Sequence, residues 1–261
     1  MPGERQPIAV VSDGSALVSG ADVEAVLRDC VEVISGLAGI PARAIVLGKV
    51  DSAQLLRIAR DHPAILLTHT EPARARTAQQ GLGAEHCVLT DQDATAIALA
   101  AAVRSVLAGR GRTPEDTRIL VAGARMLPAV TTLLIAGRTR DLALWNLSDA
   151  AVFPLHQAVF GADVVVDLLG ALPEDTGDPR LTVLTRNHVH TASAAAAGIL
   201  RAAAKAPRPS FDIEVRLAAT AALADVEPAG RPPMATAARV LADKVAAAVL
   251  AVCEPATLVA P

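Results

Sequence analysis

Residues 118–134, "RILVAGARMLPAVTTLL", contain the pattern from which the fold class is predicted. A short aliphatic run ends at Gly123, and an apolar helical pattern follows almost at once. A strand that passes through a glycine turn into a helix begins a β-α unit, and in dinucleotide-binding sheets this turn reads G-x-G-x-x-G. Here the second and third glycines are replaced by Arg125 and Pro128. The stretch therefore predicts a strand–turn–helix that has kept its shape but forms a weak nucleotide site.

The same alternation extends in both directions from this stretch. Before it, "IAVV" (8–11), "RAIVLG" (43–48), "AILLT" (64–68) and "CVLT" (87–90) are each followed by a helical pattern. After it come "LALWN" (142–146), "ADVVVDLLG" (162–170) and "RLTVLT" (180–185), and residues 191–253 are almost wholly helical in pattern. Strands that alternate with helices predict an α/β fold. We expect two doubly wound parallel-sheet units, the second Rossmann-like, with C-terminal helices.

A polar joint, "GRGRTPEDTR" (109–118), separates the two halves. Glycine, proline and charged residues are typical of domain boundaries. We therefore predict an N-terminal α/β domain over 1–111 and a Rossmann-like domain with the C-terminal helices over 112–261. The terminal helices are expected to pack back onto one or both units, and the apolar stripe of "ATAARVLADKVAAAVLAV" (235–252) also suits subunit contact in a homodimer.

Composition narrows the class of protein. Of 261 residues, 52% are hydrophobic and 20% charged, which indicates a globular protein. The net charge of −3 and the lack of a basic run argue against nucleic-acid binding. No apolar run is long enough to span a membrane, and the N-terminus has no signal-peptide pattern, so we expect a cytoplasmic protein. Cys30, Cys87 and Cys253 are widely separated, which favours reduced thiols.

Ligands of open α/β sheets bind where the strands end, so the polar residues that follow each strand are the candidates. In the first half they are Ser12, Asp13, Lys49, His69, Glu71, Thr90, Asp91 and Asp93; in the second half they are Gly123, Asn146, Asp167, Arg186, Asn187, His188 and His190. Glu71 and Asp91, with Asp13 or Asp93, could supply oxygen ligands for Mg²⁺ or Mn²⁺. The alternative is that Asp91 caps a helix beginning at 92.

Other conspicuous residues have structural interpretations. Cys30 lies among Leu27, Val31 and Ile34 on an amphipathic helix, which favours an inert thiol. His188 and His190 suit a loop, and Trp145 suits packing.

Taken in order along the chain, seven segments resemble the malic enzymes of bacterial type. They are "IAVVSDGSALV" (8–18), "SGLAGIPARAIVL" (35–47), "LLTHTEPARAR" (66–76), "CVLTDQDATAIALAAAV" (87–103), "RILVAGARMLPAVTTLLIAG" (118–137), "NHVHTASAAAAGILRAAA" (187–204) and "EVRLAATAALADV" (214–226). The resemblance implies NAD(P)-dependent oxidation of malate and its decarboxylation to pyruvate with Mg²⁺ or Mn²⁺. It also implies a homodimer and a small dicarboxylate or 2-oxo acid as ligand.

The resemblance gives roles to individual positions. Glu71 and Asp91 match two of the three metal ligands, while Pro72 replaces the third. Gly123, Arg125 and Asn146 match the coenzyme site, and Asn187 and His190 fall in the substrate segment, where His190 and Thr191 replace two asparagines.

The chemistry of the family is not matched. Cys30 stands at the place of the lysine base, and the chain has no tyrosine to serve as the acid. The Gly-rich loop that follows the D-G-S-A segment of the family is also missing after Asp13. A general acid or base typically contributes about a hundredfold to ten-thousandfold in rate.

Three hypotheses follow. The first is a malic-enzyme-like pseudoenzyme that acts by binding or regulation. The alternative is an active NAD(P)-dependent oxidoreductase or decarboxylase of a related small 2-hydroxy or 2-oxo acid, in which Cys30, His69, His188 or His190 replaces the lost groups. The third is a nucleotide-binding module formed by the second half alone.

Overall fold

The computed structural model of the chain describes residues 6–83, 86–186, 191–206, 211–225 and 235–253. The first half contains β1 (Ile8–Ser12), α1 (Val23–Ala38), β2 (Ala42–Val46), α2 (Ser52–Asp61), β3 (Ile65–Leu67), α3 (Pro72–Gln80), β4 (Val88–Thr90) and α4 (Asp91–Gly109). The second half contains β5 (Arg118–Ala122), α5 (Pro128–Ala136), β6 (Asp141–Trp145), α6 (Leu155–Ala158), β7 (Val164–Asp167), β8 (Thr182–Thr185), α7 (Ala192–Ala203), α8 (Ile213–Ala224) and α9 (Ala235–Cys253).

The strands form two parallel sheets of four, and the two sheets have the same winding. The first has the order β2-β1-β3-β4 and the second the order β6-β5-β7-β8. In each, the strand order reverses between the two central strands, which is where open α/β sheets bind ligands. The predicted α/β class with two doubly wound parallel sheets is confirmed.

Buried strands and capped helices explain why these segments fold as they do. Every residue of β1 and of β7 is buried, as expected for parallel strands covered on both faces. The helix α1 begins after Asp22, whose side chain accepts hydrogen bonds from the amides of Glu24 and Ala25. It ends at Gly39, which has φ +63°, a conformation that glycine adopts without steric cost.

The contacts divide the described residues into two compact units. The first unit contains the described residues up to Ala94, those of Ser193–Ala219 and those of α9. The second contains the described residues of Thr95–Ala192 and of 220–233. The terminal helices are thus assigned differently from the sequence prediction, which placed 112–261 in one domain. The reason is packing within the first unit: α9 lies against α1, and α7 approaches α9 closely at Gly198.

The apolar stripe of α9 is covered by this packing. Its buried residues are Leu241, Ala242, Val245, Ala246 and Val249. The stripe that suited either subunit contact or internal packing therefore packs internally. No helix among the described residues combines the length and hydropathy needed to cross a bilayer.

Candidate functional site

The central feature at the carboxyl edge of the first sheet is Asp13, which follows β1. Its Oδ1 accepts hydrogen bonds from the amide (3.1 Å) and the hydroxyl (2.5 Å) of Ser15. Its Oδ2 accepts from the amide of Val50 (3.1 Å) and from Nη1 of Arg74 (2.7 Å). Only 1% of the Asp13 side chain is exposed. One carboxylate therefore joins the segment after β1 to the segment after β2 and to α3.

The hydrogen bonds of Asp13 close into a ring, here called the Asp13 ring, through Ser15, Glu71 and Arg74. Ser15 Oγ accepts from the amide of Glu71 at 2.8 Å, and Glu71 Oε2 accepts from the amide of Arg74 at 2.9 Å. Burial alone would raise the pKa of Asp13, but the bonds from Ser15, Arg74 and Val50 outweigh it and lower the pKa to about 2. The guanidinium of Arg74 is therefore the cation that compensates this carboxylate.

Glu71 is the N-cap of α3. Oε1 accepts from the amide of Ala73 and Oε2 from that of Arg74, both at 2.9 Å. These two amide bonds lower the pKa of Glu71. Pro72 occupies the first turn, where its missing N–H costs nothing. Both carboxylate oxygens of Glu71, a predicted metal ligand, thus cap the N-terminus of α3.

Asp91, the second predicted metal ligand, holds the backbone at the end of β3. Its Oδ2 accepts from the amide of His69 (3.0 Å) and from the hydroxyl of Thr68 (3.3 Å). Thr68 Oγ1 also lies 3.0 Å from His69 Nδ1. His69 has φ +51°, which is uncommon for a residue with a side chain. The bonds to Asp91 stabilise this conformation.

Thr90 and Asp93 form the start of α4. Asp93 Oδ2 accepts from the amide (3.1 Å) and hydroxyl (2.8 Å) of Thr90, and Thr90 Oγ1 accepts from the amide of Asp93 (3.0 Å). This is a capping box with aspartate in the acidic position. The helix begins at Asp91, so the capping role expected of Asp91 belongs to Thr90. Asp93 also contacts Arg216 at 3.4 Å and is a structural residue.

Cys30 lies half-buried on α1. Burial, with smaller effects from Asp29 and Asp91, raises the pKa of its thiol. A raised pKa favours the thiol over the nucleophilic thiolate, which agrees with the inert interpretation.

In the second sheet, the side chain of Leu169 packs against the turn that follows β5. Gly123 has φ +81°, and a short 3₁₀ helix, Ala124–Met126, precedes α5. A Cβ placed on Gly123 would lie 3.0 Å from Leu169 Cγ and 3.4 Å from Leu168 Cβ. Asp167 holds this leucine segment because its carboxylate accepts from the amides of Leu169, Gly170 and Leu172. The space beside the glycine is therefore filled by protein.

The predicted coenzyme residues Arg125 and Asn146 bond to each other. Asn146 Oδ1 accepts from the amide of Arg125 at 2.9 Å. The Arg125 residue is exposed, and Trp145 is buried with Nε1 donating to Phe153 O at 2.7 Å. An amide of the turn that a pyrophosphate would need is thus already bonded.

The residues of the predicted coenzyme and metal sites already have partners within the protein. A pyrophosphate needs close approach to the turn glycine, where Leu169 packs. Glu71 and Asp91 hold backbone amides, and in the described part of the chain no three His, Cys, Asp or Glu side chains are grouped as metal ligands.

The structure brings together some predicted residues and leaves others apart. Ser12 joins the edge at Asp13, since its hydroxyl donates to His69 O at 3.4 Å; Lys49 is exposed. Asn187, His188 and His190 lie outside the described residues. Sequence reasoning missed Arg74, Ser15 and Leu169. The only local signal was the D-x-S spacing of Asp13 and Ser15, which is typical of a side-chain-stabilised turn.

Comparison with known proteins places the fold. No protein-family model and no curated protein matches the chain. Solved structures do match. With the NAD-dependent malic enzyme from Thermotoga maritima the TM-score is 0.76 at 18% identity, over 95% of this chain and 84% of the other. With the malic enzyme from Pyrococcus horikoshii the TM-score is 0.77 at 16% sequence identity, over 96% of this chain and 76% of the other. With the malic enzyme of Entamoeba histolytica the TM-score is 0.73 at 16% sequence identity, over 96% of this chain and 69% of the other. The chain therefore has a malic-enzyme-like fold.

Proposed function

We propose that this chain is a malic-enzyme-like protein that does not oxidise or decarboxylate malate and acts by binding or regulation. One observation carries the proposal: the two carboxylates that match metal ligands, Glu71 and Asp91, are each bonded to backbone amides. They are parts of the scaffold at the place where the chemistry of a malic enzyme would need them for a cation.

The amide bonds oppose metal binding for a geometric reason. Mg²⁺ requires near-octahedral oxygen ligands at close range. To turn toward a cation, Glu71 would have to release the amides of Ala73 and Arg74, which would leave the first turn of α3 without its cap. Arg74 also places a fixed positive charge at this edge, and that charge repels a second cation.

The missing acid and base support the same conclusion. The chain lacks tyrosine, and a cysteine with a raised pKa stands where the resemblance places the lysine base. A thiol that stays protonated does not accept the hydroxyl proton of a hydroxy acid. Loss of both groups removes acid–base catalysis, each part of which is worth roughly a hundredfold to ten-thousandfold.

The coenzyme turn adds an independent argument. Leu169 packs against Gly123, and Asn146 holds the amide of Arg125. A dinucleotide would have to displace both. The ligand class that remains for a binding role is the small dicarboxylate or 2-oxo acid implied by the resemblance.

The direct test is turnover. The purified 261-residue chain is mixed with malate, Mn²⁺ and either NAD or NADP, and absorbance of the reduced coenzyme is followed, with the Thermotoga maritima malic enzyme as positive control. We expect no rate above that of the enzyme-free mixture. A turnover in the ordinary enzyme range, about 1–1,000 s⁻¹, contradicts the proposal.

A second test separates a structural carboxylate from a metal ligand. Glu71→Ala and Asp22→Ala each remove an N-cap that accepts two amide bonds, from α3 and α1 respectively. We expect both variants to melt at a lower temperature than the wild type, and Mn²⁺ to leave all three melting temperatures unchanged. A ligand that binds only the folded state raises the melting temperature, so the same assay detects dicarboxylates and dinucleotides.

The outcomes also distinguish the competing hypotheses. If Mn²⁺ stabilises the wild type and Asp22→Ala but not Glu71→Ala, the metal-dependent enzyme of a related 2-hydroxy or 2-oxo acid becomes the better hypothesis. If NAD(H) or NADP(H) alone stabilises the protein, the nucleotide-binding module does.

A further inference from the structure

The crevice of the second sheet lies between the segments that follow β5 and β7. The strand order β6-β5-β7-β8 reverses at these two strands, and open α/β sheets bind their ligands at such a reversal. One side of the crevice is the turn at Gly123, and the other is the segment that begins with Leu168 and Leu169. A dinucleotide on a sheet of this kind has its pyrophosphate against that turn.

The side chain of Leu169 fills the space beside the turn glycine. A Cβ built on Gly123 would lie 3.0 Å from Cγ of Leu169 and 3.1 Å from its Cδ2. Carbon atoms in ordinary contact are about 3.5–4.0 Å apart, so even a methyl group requires a shift of the leucine. A phosphate group is larger than a methyl group. The leucine therefore occupies the place that close approach of a pyrophosphate to the turn needs to be open.

The backbone of Leu169 is fixed by a buried carboxylate. Asp167 is 1% exposed, and its Oδ1 accepts hydrogen bonds from the amides of Leu169 (3.0 Å) and Gly170 (3.1 Å). Its Oδ2 accepts from the amide of Leu172 at 2.8 Å. Withdrawal of this segment from the crevice would leave a buried charge without its donors, which is unfavourable.

The side chain of Leu169 is held by apolar contacts as well. It is half-buried and packs on the hydrophobic cluster of this sheet, which includes Ala122, Trp145 and Val165. Rotation out of the crevice would return this apolar surface to water. Backbone and side chain are thus both fixed, and together they keep the crevice closed.

From these contacts we propose that Leu169 is the residue that excludes dinucleotides from the second unit, with Asp167 as its positioning residue. The inference rests on the proposed function and extends it, because it identifies the side chain that denies this fold a coenzyme. It concerns a separate property of the protein. Turnover is lost with the acid and the base, whereas coenzyme binding is lost through lack of space.

Once the leucine is shortened, the crevice offers a cation to a phosphate group. Arg125 comes two residues after Gly123, and its side chain is exposed. Guanidinium groups bind phosphate oxygens through paired, charge-assisted hydrogen bonds. The amide of Arg125 donates to Oδ1 of Asn146 at 2.9 Å, a neutral bond that a stronger bond to phosphate can replace. The ligand class excluded by the leucine is therefore a nucleotide that contains a pyrophosphate.

The test compares two matched leucine truncations in the 261-residue chain. Leu169→Ala removes the two leucine atoms nearest to the turn glycine. Leu172→Ala removes the same atoms from another half-buried leucine of the same segment and the same cluster. NADH is titrated into the wild type and both variants by isothermal calorimetry. We expect Leu169→Ala to bind NADH about tenfold or more tightly than the wild type or Leu172→Ala does.

A second pair of variants shows whether the gained binding lies at the turn. Arg125→Gln, introduced into Leu169→Ala, removes the guanidinium beside the turn, and we expect the gained affinity for NADH to fall several-fold. Arg140→Gln, in the same background, removes an exposed arginine before β6, at the opposite edge of the sheet. It should leave the affinity unchanged, and equal effects of the two substitutions would place the binding elsewhere and contradict the inference.

Three results of the calorimetry overturn the inference. They are a folded Leu169→Ala that binds NADH no better than the wild type, an equal gain in Leu172→Ala, and a wild type that already binds as tightly as Leu169→Ala. Circular dichroism and a thermal melt establish that each variant folds. If Leu169→Ala does not fold, Leu169→Val takes its place, and lack of any gain there overturns the inference as well. None of these results bears on turnover by the wild type, which tests the proposed function separately.

The contact between Leu169 and the turn also has a readout that needs no ligand. Gly123→Ala adds a methyl group that meets Leu169, so it should lower the melting temperature more in the wild type than in Leu169→Ala. The φ of +81° at Gly123 strains alanine in both backgrounds, so the difference between the two losses reports the contact alone. Equal losses would mean that Leu169 does not close the crevice.

Discussion

Asp13 shows how one side chain fixes several segments of the carboxyl edge. Both of its oxygens are bonded, and its neighbours belong to the segments after β1 and β2 and to α3. Buried carboxylates are stable only when such partners are present. We therefore expect Asp13→Asn to destabilise the protein at neutral pH by on the order of 2 kcal/mol, from the depression of its pKa from 3.8 to about 2.

The pH dependence of this effect has a definite sign. The folded-state pKa of Asp13 lies below the unfolded value, so its contribution is complete above about pH 4 and is lost as the pH falls toward 2. Urea unfolding of the wild type and Asp13→Asn at several pH values measures the difference in unfolding free energy. It should shrink between pH 4 and 2, and a difference that stays constant over this window contradicts the assigned pKa.

At this scale the sequence indicated where polar residues would gather but not what they would do. Ser12, Asp13, Glu71 and Asp91 follow strands, and parallel strands end at one edge, so their proximity could be predicted. Arg74 could not, because it lies 61 residues from Asp13 in the chain and on a helix rather than after a strand. Without that cation, the carboxylates suggested a metal site.

At the scale of elements, the close approach of α7 and α9 depends on Gly198. A Cβ at this position would lie 2.6 Å from Val245 Cβ and 2.7 Å from Ala242 O. We expect Gly198→Ala to separate the helices and lower the unfolding free energy by about 1–3 kcal/mol.

Gly36→Ala is the matched control, because Gly36 lies in α1 and an added Cβ meets nothing within 4 Å. That change should stabilise the protein by about 0.5–1 kcal/mol, since alanine favours helix over glycine. Thermal and urea unfolding measure both variants. Equal effects of the two substitutions would mean that α7 and α9 are not tightly packed at this site.

Most elements could be predicted because local patterns determine them. The strand–helix alternation gave the class, and Thr90-x-x-Asp93 has the spacing of a capping box. The surface against which α9 packs could not be predicted. Its apolar stripe of Leu241, Val245 and Val249 suits a neighbouring subunit as well as α1. The packing of Leu169 against Gly123 could not be predicted either, because the two residues follow different strands and no local sequence pattern relates them.

At the scale of the whole molecule, the first unit is discontinuous in sequence. It requires Ser193–Ala219 and the residues of α9 in addition to those up to Ala94. We expect a chain that ends after Ala192 to expose the apolar surface of α1 that α9 covers. Binding of a hydrophobic dye should rise several-fold relative to the full chain. Dye binding equal to that of the full chain would show that the first unit folds without its terminal helices.

The discontinuity also sets an order of events at the ribosome. The four strands of the first sheet emerge early, yet α9 emerges more than a hundred residues after β4. At ordinary translation speeds this interval is on the order of ten seconds. Most of the second unit, Thr95–Ala192, is synthesised before Ser193–Ala219 and α9, which complete the first unit. The half that begins the chain is therefore the last to be complete, and the surface of α1 that α9 covers stays open to other proteins until α9 has been made.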